Sequence, residues 1–188
     1  AYTGGLNFEQ NWKDRKYNFS AKVLASRVSG DSEAIYDLQT SSARYYQRPD
    51  VKNNRLDSTA KSISGHGGNM SFSTNSNSGW NFATWLSWLS PGLEFNDIGY
   101  LRESDNINQV LWVGYSSPQP KGLIRRINFN MAAYQGWNFD GVHKYWGLEA
   151  STFLRFTNYW SFGTGLNYNG QSNSTALLRG GPIFIIPN

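Results

Sequence analysis

Long runs in which apolar and polar residues alternate constrain this chain more than any other feature. Across residues 159–168 the even positions hold Trp, Phe, Thr, Leu and Tyr, and the odd positions hold Tyr, Ser, Gly, Gly and Asn. Residues 146–156 alternate in the same way, with Phe153 as the exception. Successive side chains of a β-strand point to opposite faces, so both runs predict strands with one apolar face. Thr157 and Asn158 are predicted to join them in a tight hairpin.

The alternation recurs, in whole or in part, in further segments of the chain. These segments are residues 6–12, 17–26, 68–75, 80–89, 108–116 and 126–133. Several runs reach ten residues, whereas a soluble strand averages about 5–6 and a tilted bilayer-spanning strand needs about 9–11. Large aromatic residues lie near the ends of the runs, where outer-membrane barrels place their interfacial girdles. The sequence therefore predicts an all-β, antiparallel transmembrane β-barrel with up-and-down meander topology over residues 1–188.

A membrane barrel of this kind would expose its apolar face to lipid. The residues expected on that face are Phe129, Met131, Leu148, Leu154, Phe162 and Leu166. A soluble antiparallel sandwich or jelly roll with one wet face shares the alternation and the turn residues. The soluble fold accounts less well for the strand lengths and for the aromatic residues at the strand ends.

Composition excludes several other classes of protein. The 188 residues include no cysteine, which excludes disulfides, thiolate zinc sites and cysteine nucleophiles. There are only two histidines, His66 and His143, so we expect neither a metal site nor a cofactor. No run approaches the roughly 20 apolar residues of a membrane helix, and an aromatic content of 16% argues against disorder.

The basic residues of the chain suggest one kind of anionic partner and argue against another. The net charge is +4, but the basic side chains are scattered, so we expect no nucleic-acid partner. Lys121, Arg125 and Arg126 form a small cluster. If that end of the protein lies outside the cell, the cluster is expected to meet the phosphates of lipopolysaccharide.

Two long interruptions separate the predicted strands. The first, residues 30–56, opens with a short helix that Asp31 or Ser32 is expected to cap. The second covers residues 90–105. Between them, residues 64–68 (SGHGG) superficially resemble a phosphate-binding loop but lack the Lys-Ser/Thr and the helix that such loops require. We expect residues 64–68 to form a glycine-rich turn between two strands.

Candidate binding residues concentrate in these two interruptions. They are Arg44, Arg48, Asp50, Glu94, Asn96 and Asp97. Arginines beside tyrosines can hold a sugar or a phosphate, and loop carboxylates can act as acid and base or bind calcium. The simpler interpretation is a pair of polar loops that satisfy their own backbone and fold onto the sheet. A glycosidase needs two facing carboxylates at a suitable separation, and Glu94 and Asp97 are the only loop pair suited to that role. We therefore expect no catalysis.

Several motifs occur in a characteristic order. They are residues 34–50 (AIYDLQTSSARYYQRPD), 90–100 (SPGLEFNDIGY), 136–141 (GWNFDG), 158–160 (NYW) and 178–182 (LRGGP). In this order they resemble the family known as domain of unknown function 5916. The resemblance implies a Gram-negative outer-membrane barrel, in a family whose members usually follow a carbohydrate-binding family 9-like module. That module and the first and last barrel strands are expected to be absent, which makes the chain a fragment of a larger barrel. The resemblance supplies no catalytic residue.

These observations lead to one principal functional expectation and one alternative. We expect a non-enzymatic outer-membrane segment that serves in binding, in transport support or as a complex subunit. Its expected partners are outer-membrane lipid and lipopolysaccharide, other outer-membrane proteins and glycan. The alternative is a soluble carbohydrate-binding β domain that uses exposed tryptophans.

The geometry of the two long loops is a separate prediction. Residues 45–50 and 91–97 are expected to fold onto the polar side of the sheet and to pack near each other. Arg44 and Arg48 are then available to pair with Glu94 and Asp97, which would place partly desolvated charges in contact.

Overall fold

The computed structural model describes residues 1–96 and 99–187 and contains one large antiparallel sheet. Its eight strands follow one another in chain order, so each strand pairs with its neighbours in sequence. The strands are β1 (Tyr2–Trp12), β2 (Tyr17–Ser29), β3 (Ser62–Thr74), β4 (Gly79–Leu89), β5 (Asn106–Ser117), β6 (Ile124–Trp137), β7 (His143–Phe156) and β8 (Ser161–Asn169). The predicted all-β antiparallel meander is confirmed.

The edges of the sheet are open. In the part of the chain that the structure describes, β1 pairs only with β2 and β8 pairs only with β7. Every residue of these two edge strands is exposed. A separate two-stranded sheet follows β8, formed by β9 (Ser172–Ser174) and β10 (Phe184–Ile186).

The strand register sorts the side chains onto two different faces. One face, here called the apolar face, carries Val23, Met70, Leu86, Leu111, Met131, Leu148 and Leu166. The other, the polar face, carries amides and hydroxyls such as Asn18, Ser71, Ser87, Asn108, Asn130, Ser151 and Asn167. Each antiparallel pair keeps like residues opposite one another, so alternation along the strands becomes segregation across the whole sheet.

The connections at the two ends of the sheet differ in length. At one end, the turn end, strands are joined by residues 13–16, 75–78, 118–123 and 157–160. At the other, the loop end, the connections are residues 30–61, 90–105 and 138–142. The hairpin predicted at Thr157 and Asn158 is present, and it also includes Tyr159 in a left-handed conformation (φ +70°).

The helix predicted after residue 30 lies in the first long connection. It is α1 (Ser32–Thr40), and the Asp31 side chain caps it by accepting a 2.8 Å hydrogen bond from the Ala34 N–H. Its buried face places Ile35 against Tyr46 and Ile63, which form the small apolar core beside the polar face. Within the described part of the chain, no helix is long and apolar enough to span a membrane.

The expected glycine-rich turn at residues 64–68 is wrong, because this segment lies inside β3. Its glycines have a packing role. A β-carbon on Gly65 would lie 2.0 Å from the Leu93 backbone nitrogen, and one on Gly67 would lie 2.8 Å from the Leu93 side chain. The absence of side chains at these positions therefore allows the second long loop to rest directly on the sheet.

Candidate functional site

The two long loops meet on the polar face at the loop end of the sheet. Residues 41–56, 90–96 and 99–105 are called the loop cluster below. Leu93 is completely buried over Gly65 and Gly67. The next residue, Glu94, donates its backbone N–H to Ser26 Oγ on β2 at 2.8 Å. The second loop is thus fixed to the sheet by one apolar side chain and one backbone hydrogen bond.

Arg44 and Glu94 form the central contact between the loops. Arg44 Nη2 lies 2.8 Å from Glu94 Oε2, and both side chains are almost fully buried. The same guanidinium donates to the Leu93 carbonyl oxygen. Glu94 Oε1 accepts a 2.8 Å hydrogen bond from the Asn96 N–H. The expectation that these loops pack together through Arg44 and Glu94 is confirmed.

Arg48 lies against a carboxylate at the start of β5. Its Nη2 lies 3.6 Å from Asp105 Oδ2, and its Nη1 donates to the Thr175 carbonyl oxygen at 3.5 Å. Asp97, the partner expected from the sequence, lies outside the described residues. Asp105 also accepts a 2.8 Å hydrogen bond from the Phe139 N–H. Arg48 therefore connects the first loop to the start of β5 and to the segment after β8.

Burial governs the charge state of this part of the loop cluster. It raises the pKa of Asp105, because desolvation outweighs the hydrogen bond from Phe139 and the attraction of Arg48. Burial likewise raises the pKa of the Tyr46 phenol, so this side chain stays neutral. The loop cluster is therefore a desolvated network in which each charge depends on a particular partner.

Two further contacts tie the loop cluster to the β6–β7 connection and to the start of β7. Lys144 Nζ pairs with Glu103 Oε1. Asp140 accepts hydrogen bonds from the Lys52 and Asn53 N–H groups at 3.1 and 3.0 Å. Neither Lys144 nor Asp140 belongs to the candidate residues of the two long loops, although Asp140 lies in the motif at residues 136–141.

Space inside the loop cluster is small. A cavity of about 10 Å³ lies between Arg44, Arg48, Glu103, Asp105 and Thr175, which is room for about one water molecule. Arg44 Nε and Arg48 Nε at this cavity, and Asp50 Oδ1 elsewhere in the loop cluster, are buried and have no hydrogen-bond partner among the described residues. These atoms favour a bound water inside a folded network over a pocket for an organic ligand.

Five of the six candidate residues lie in the described part of the chain, and the sixth, Asp97, lies outside it. Arg44, Arg48 and Glu94 are buried in ion pairs. Asp50 is half-buried, and the exposed Asn96 accepts a hydrogen bond from the Leu101 N–H at 2.8 Å. A binding role for these residues stays a prediction. Across residues 1–96 and 99–187, no group of three or more His, Cys, Asp or Glu side chains is arranged to hold a metal ion.

Comparison with known protein families assigns the chain to one of them. The matching family is described as Domain of unknown function (DUF5916), and the match covers residues 3–176. The chain belongs to this family. The matched part of this DUF5916 chain includes the whole loop cluster and all eight strands of the large sheet except Tyr2, the first residue of β1. No curated protein and no solved structure matches the chain.

Proposed function

We propose that this DUF5916 chain is a segment of a transmembrane antiparallel β-barrel in the outer membrane of a Gram-negative bacterium. Its apolar face contacts lipid and its polar face lines the interior. The segment serves in binding, in transport support or as a subunit of a larger outer-membrane assembly, and it carries out no catalysis. One observation carries this proposal: an exposed apolar belt lies between two rows of tryptophan and tyrosine residues on one face of the sheet.

The apolar belt is too large for a typical soluble monomer. Leu111, Phe162 and Leu166 on the apolar face are 51%, 54% and 78% exposed. Eight strands about 4.8 Å apart span roughly 34 Å, and a belt about 25 Å tall then covers on the order of 800 Å². The largest apolar patch of a soluble monomer is typically about 300–600 Å². Contact with hydrocarbon removes the cost of exposing such a surface to water.

The aromatic rows mark the two boundaries of this belt. The row at the turn end contains Trp12, Tyr17, Trp80 and Tyr115, and the row at the loop end contains Trp88, Trp137, Trp146 and Tyr168. Ring centroids are 5.1 Å apart for Trp80 and Tyr115 and 5.5 Å apart for Trp146 and Tyr168.

The separation of the rows fits a bilayer. Trp80 and Trp88 lie on one strand, and eight residues rise about 26 Å along it. At a strand tilt of about 40° this corresponds to roughly 20 Å across the membrane, near the height of the apolar band in outer-membrane barrels.

The open edges of the sheet mean that the proposed barrel needs further strands. β1 and β8 present unpaired backbone groups in the described sheet, and each such group costs several kcal/mol in hydrocarbon. In the membrane both edges therefore pair with further strands that carry the same apolar-out, polar-in alternation. The eight strands are in this proposal one part of the wall of a larger barrel.

An arginine placed on each face tests the proposal. Met131 lies at the middle of β6 on the apolar face, and Ser151 lies one strand away on the polar face. Met131→Arg is expected to lower the free energy of unfolding in lipid vesicles by about 2–4 kcal/mol, because it places a charge at the bilayer midplane. The matched control Ser151→Arg should change it by less than about 1 kcal/mol. Equal effects of the two variants, in a protein that stays monodisperse without detergent, would reject the membrane barrel.

A soluble carbohydrate-binding domain is the second candidate, and one feature of the polar face favours it. A cleft of about 310 Å³ is lined by Trp112, Asn130, Glu149 and Asn167 among others. Asn167 Nδ2 donates to Glu149 Oε1 at 2.8 Å. An aromatic ring beside amide and carboxylate groups suits the hydroxyls and the apolar side of a sugar. Titration of tryptophan fluorescence with polysaccharides in the absence of detergent tests this candidate, and a flat response together with a detergent requirement rejects it.

A further inference from the structure

Three arginines lie together at the turn end of the sheet. Arg126 and Arg155 are direct cross-strand partners in the β6–β7 pairing. They lie four residues from Asn130 and Ser151 on the same two strands, so both belong to the polar face. The third, Arg125, precedes Arg126 at an irregularity in the strand register. All three side chains are exposed. The polar face therefore ends in a group of cations, called the arginine cluster below.

The Tyr159 ring holds two members of the arginine cluster close together. The guanidinium carbons of Arg125 and Arg155 lie 5.0 and 6.0 Å from the centre of this ring. Tyr159 occupies the left-handed region (φ +70°), which bulky side chains rarely adopt. Its N–H donates to the Phe156 carbonyl oxygen at 3.0 Å, which closes the β7–β8 turn. The turn thus fixes an aromatic ring against which the two guanidinium groups lie.

Within the described part of the chain, the arginine cluster has no carboxylate partner. The ion pairs found there all lie at the loop end. Glu149, on the polar face of β7, lies six residues from Arg155, or about 20 Å along the strand. Its carboxylate accepts a 2.8 Å hydrogen bond from Asn167. Asp14, in the turn between β1 and β2, lies several strands away. The positive charge of the cluster is thus available to an anion from outside the chain.

The chemistry of the arginine cluster suits a phosphate group. Like charges directly opposite one another destabilise a sheet, and an anion placed between Arg126 and Arg155 offsets that repulsion. Guanidinium groups donate in a planar fork that matches phosphate oxygens. Ser161, the cross-strand partner of Arg155 on β8, adds a hydroxyl donor at the same level. Three cations match a phosphate group, with a charge of about −1.5 to −2, better than they match a single carboxylate.

We propose that the arginine cluster binds the phosphate group of a water-soluble ligand, with Arg126 and Arg155 as the main donors and Arg125 as a third. In the proposed barrel the polar face lines the interior, so the site lies inside the wall at one mouth of the lumen. It meets water there and not the lipid outside. Since the short turns of outer-membrane barrels face the periplasm, this mouth opens to the periplasm. The location in a lumen rests on the proposed barrel, whereas the binding itself rests on the register and the charges of the sheet.

Titration calorimetry with inorganic phosphate tests the site in the full chain, solubilised in a non-ionic detergent at constant ionic strength. The wild type should bind phosphate more tightly than acetate, which carries a single charge. Replacing Arg126 and Arg155 together by Gln should weaken phosphate binding about tenfold or more, because charge-assisted hydrogen bonds are lost. Phosphate should also raise the thermal midpoint of the wild type and leave that of the double variant unchanged.

Further comparisons separate the site from net charge and from folding. Replacing Lys52 and Arg102 together by Gln removes two exposed cations at the loop end, and phosphate binding should stay within about twofold of the wild type. Tyr159→Asn keeps a residue that tolerates the left-handed backbone but removes the ring, so binding should weaken about two- to fivefold. Without phosphate, the double Gln variant of Arg126 and Arg155 should be at least as stable as the wild type, because it removes like-charge repulsion.

The possible failures of the two proposals are distinguishable. Absence of phosphate binding, or equal binding by the wild type and the double Gln variant of Arg126 and Arg155, overturns the site. An equal loss in the loop-end control also overturns it, and acetate binding as tight as phosphate binding overturns the choice of ligand. These results leave the barrel intact if Met131→Arg destabilises the protein in vesicles and Ser151→Arg does not. Phosphate binding that is lost only in the double Gln variant, together with equal effects of Met131→Arg and Ser151→Arg, supports the site and overturns its location in a lumen.

Discussion

Arg44 and Glu94 lie fifty residues apart in the chain and meet at 2.8 Å, with side chains that are 1% and 9% exposed. Removing either partner leaves a buried charge without compensation, which typically costs about 3–5 kcal/mol. We therefore expect Arg44→Met and Glu94→Met each to lower the free energy of unfolding by about that amount. Denaturant unfolding monitored by tryptophan fluorescence measures the change.

The double variant distinguishes a coupled pair from two independent residues. Arg44→Met/Glu94→Met removes both charges, so its loss of stability should be smaller than the sum of the two single losses. A coupling energy above about 2 kcal/mol is expected for such a desolvated contact. Simple additivity would show that the two side chains stabilise the loop cluster separately.

Gly65 provides a steric test of how the second loop is seated. Gly65→Ala would place a β-carbon 2.0 Å from the Leu93 backbone nitrogen. Because the obstructing atoms are backbone, the loop must move, and we expect a loss of about 3 kcal/mol or more in the free energy of unfolding.

Gly163→Ala is the matched control for this variant. Gly163 also lies in a strand on the polar face, but the nearest atom to a β-carbon there is 3.7 Å away. The control should change stability by less than about 0.5 kcal/mol. Similar losses in both variants would mean that strand glycines matter for reasons other than contact with the loop.

Asp105 gives the loop cluster a defined pH dependence. Burial raises its folded-state pKa above the ordinary value of 3.8, so the folded protein binds this proton more tightly than the unfolded chain does. The resulting stabilisation is fully present below the unfolded pKa and is lost as the pH rises through the folded pKa.

Asp105→Asn removes this titration and keeps an oxygen that can accept the hydrogen bond from the Phe139 N–H. The thermal midpoint of the wild type, relative to that of Asp105→Asn, should therefore fall as the pH is raised from about 4 to neutrality. Thermal unfolding at a series of pH values measures this difference. A difference that does not vary with pH would contradict the raised pKa.

Leu148 provides a depth comparison within the proposed lipid-facing belt. It lies on the apolar face two residues from Trp146, a member of the loop-end aromatic row, whereas Met131 lies at the middle of its strand. The cost of an arginine falls from about 2–4 kcal/mol at the midplane to about 0–1 kcal/mol near the interface. Leu148→Arg should thus destabilise the protein in vesicles less than Met131→Arg. The reverse order in vesicle unfolding titrations would argue against the depth inferred from the aromatic rows.

The loop cluster shows how far the sequence could predict the candidate site. Arg44, Arg48 and Glu94 stand out because charged residues cluster with Pro, Gly and aromatic residues in two interruptions of an otherwise regular pattern. The sequence does not indicate all of their partners. Arg48 lies 3.6 Å from Asp105, and the partner of Glu103 is Lys144, which comes from the start of β7. No pattern along the chain indicates which of these ion pairs forms, because each pair depends on which strand ends the register brings together.

Strand geometry and helix capping explain which features the sequence determined by itself. The two faces of a strand follow from covalent geometry, so the alternation alone predicts an all-β antiparallel meander, and a cap at Asp31 or Ser32 predicts the start of α1. The glycines at 64–68 leave two structures open. Glycine permits a tight turn, and it equally permits another segment to pack closely against the backbone of a strand. Only the tertiary structure decided that Gly65 lies in β3 beneath Leu93, that Arg48 meets Asp105, and that the outer edges of β1 and β8 have no partner strand in the described sheet. Those outcomes arise from contacts between segments distant in sequence, and they depend on strand register and loop packing that no local pattern encodes.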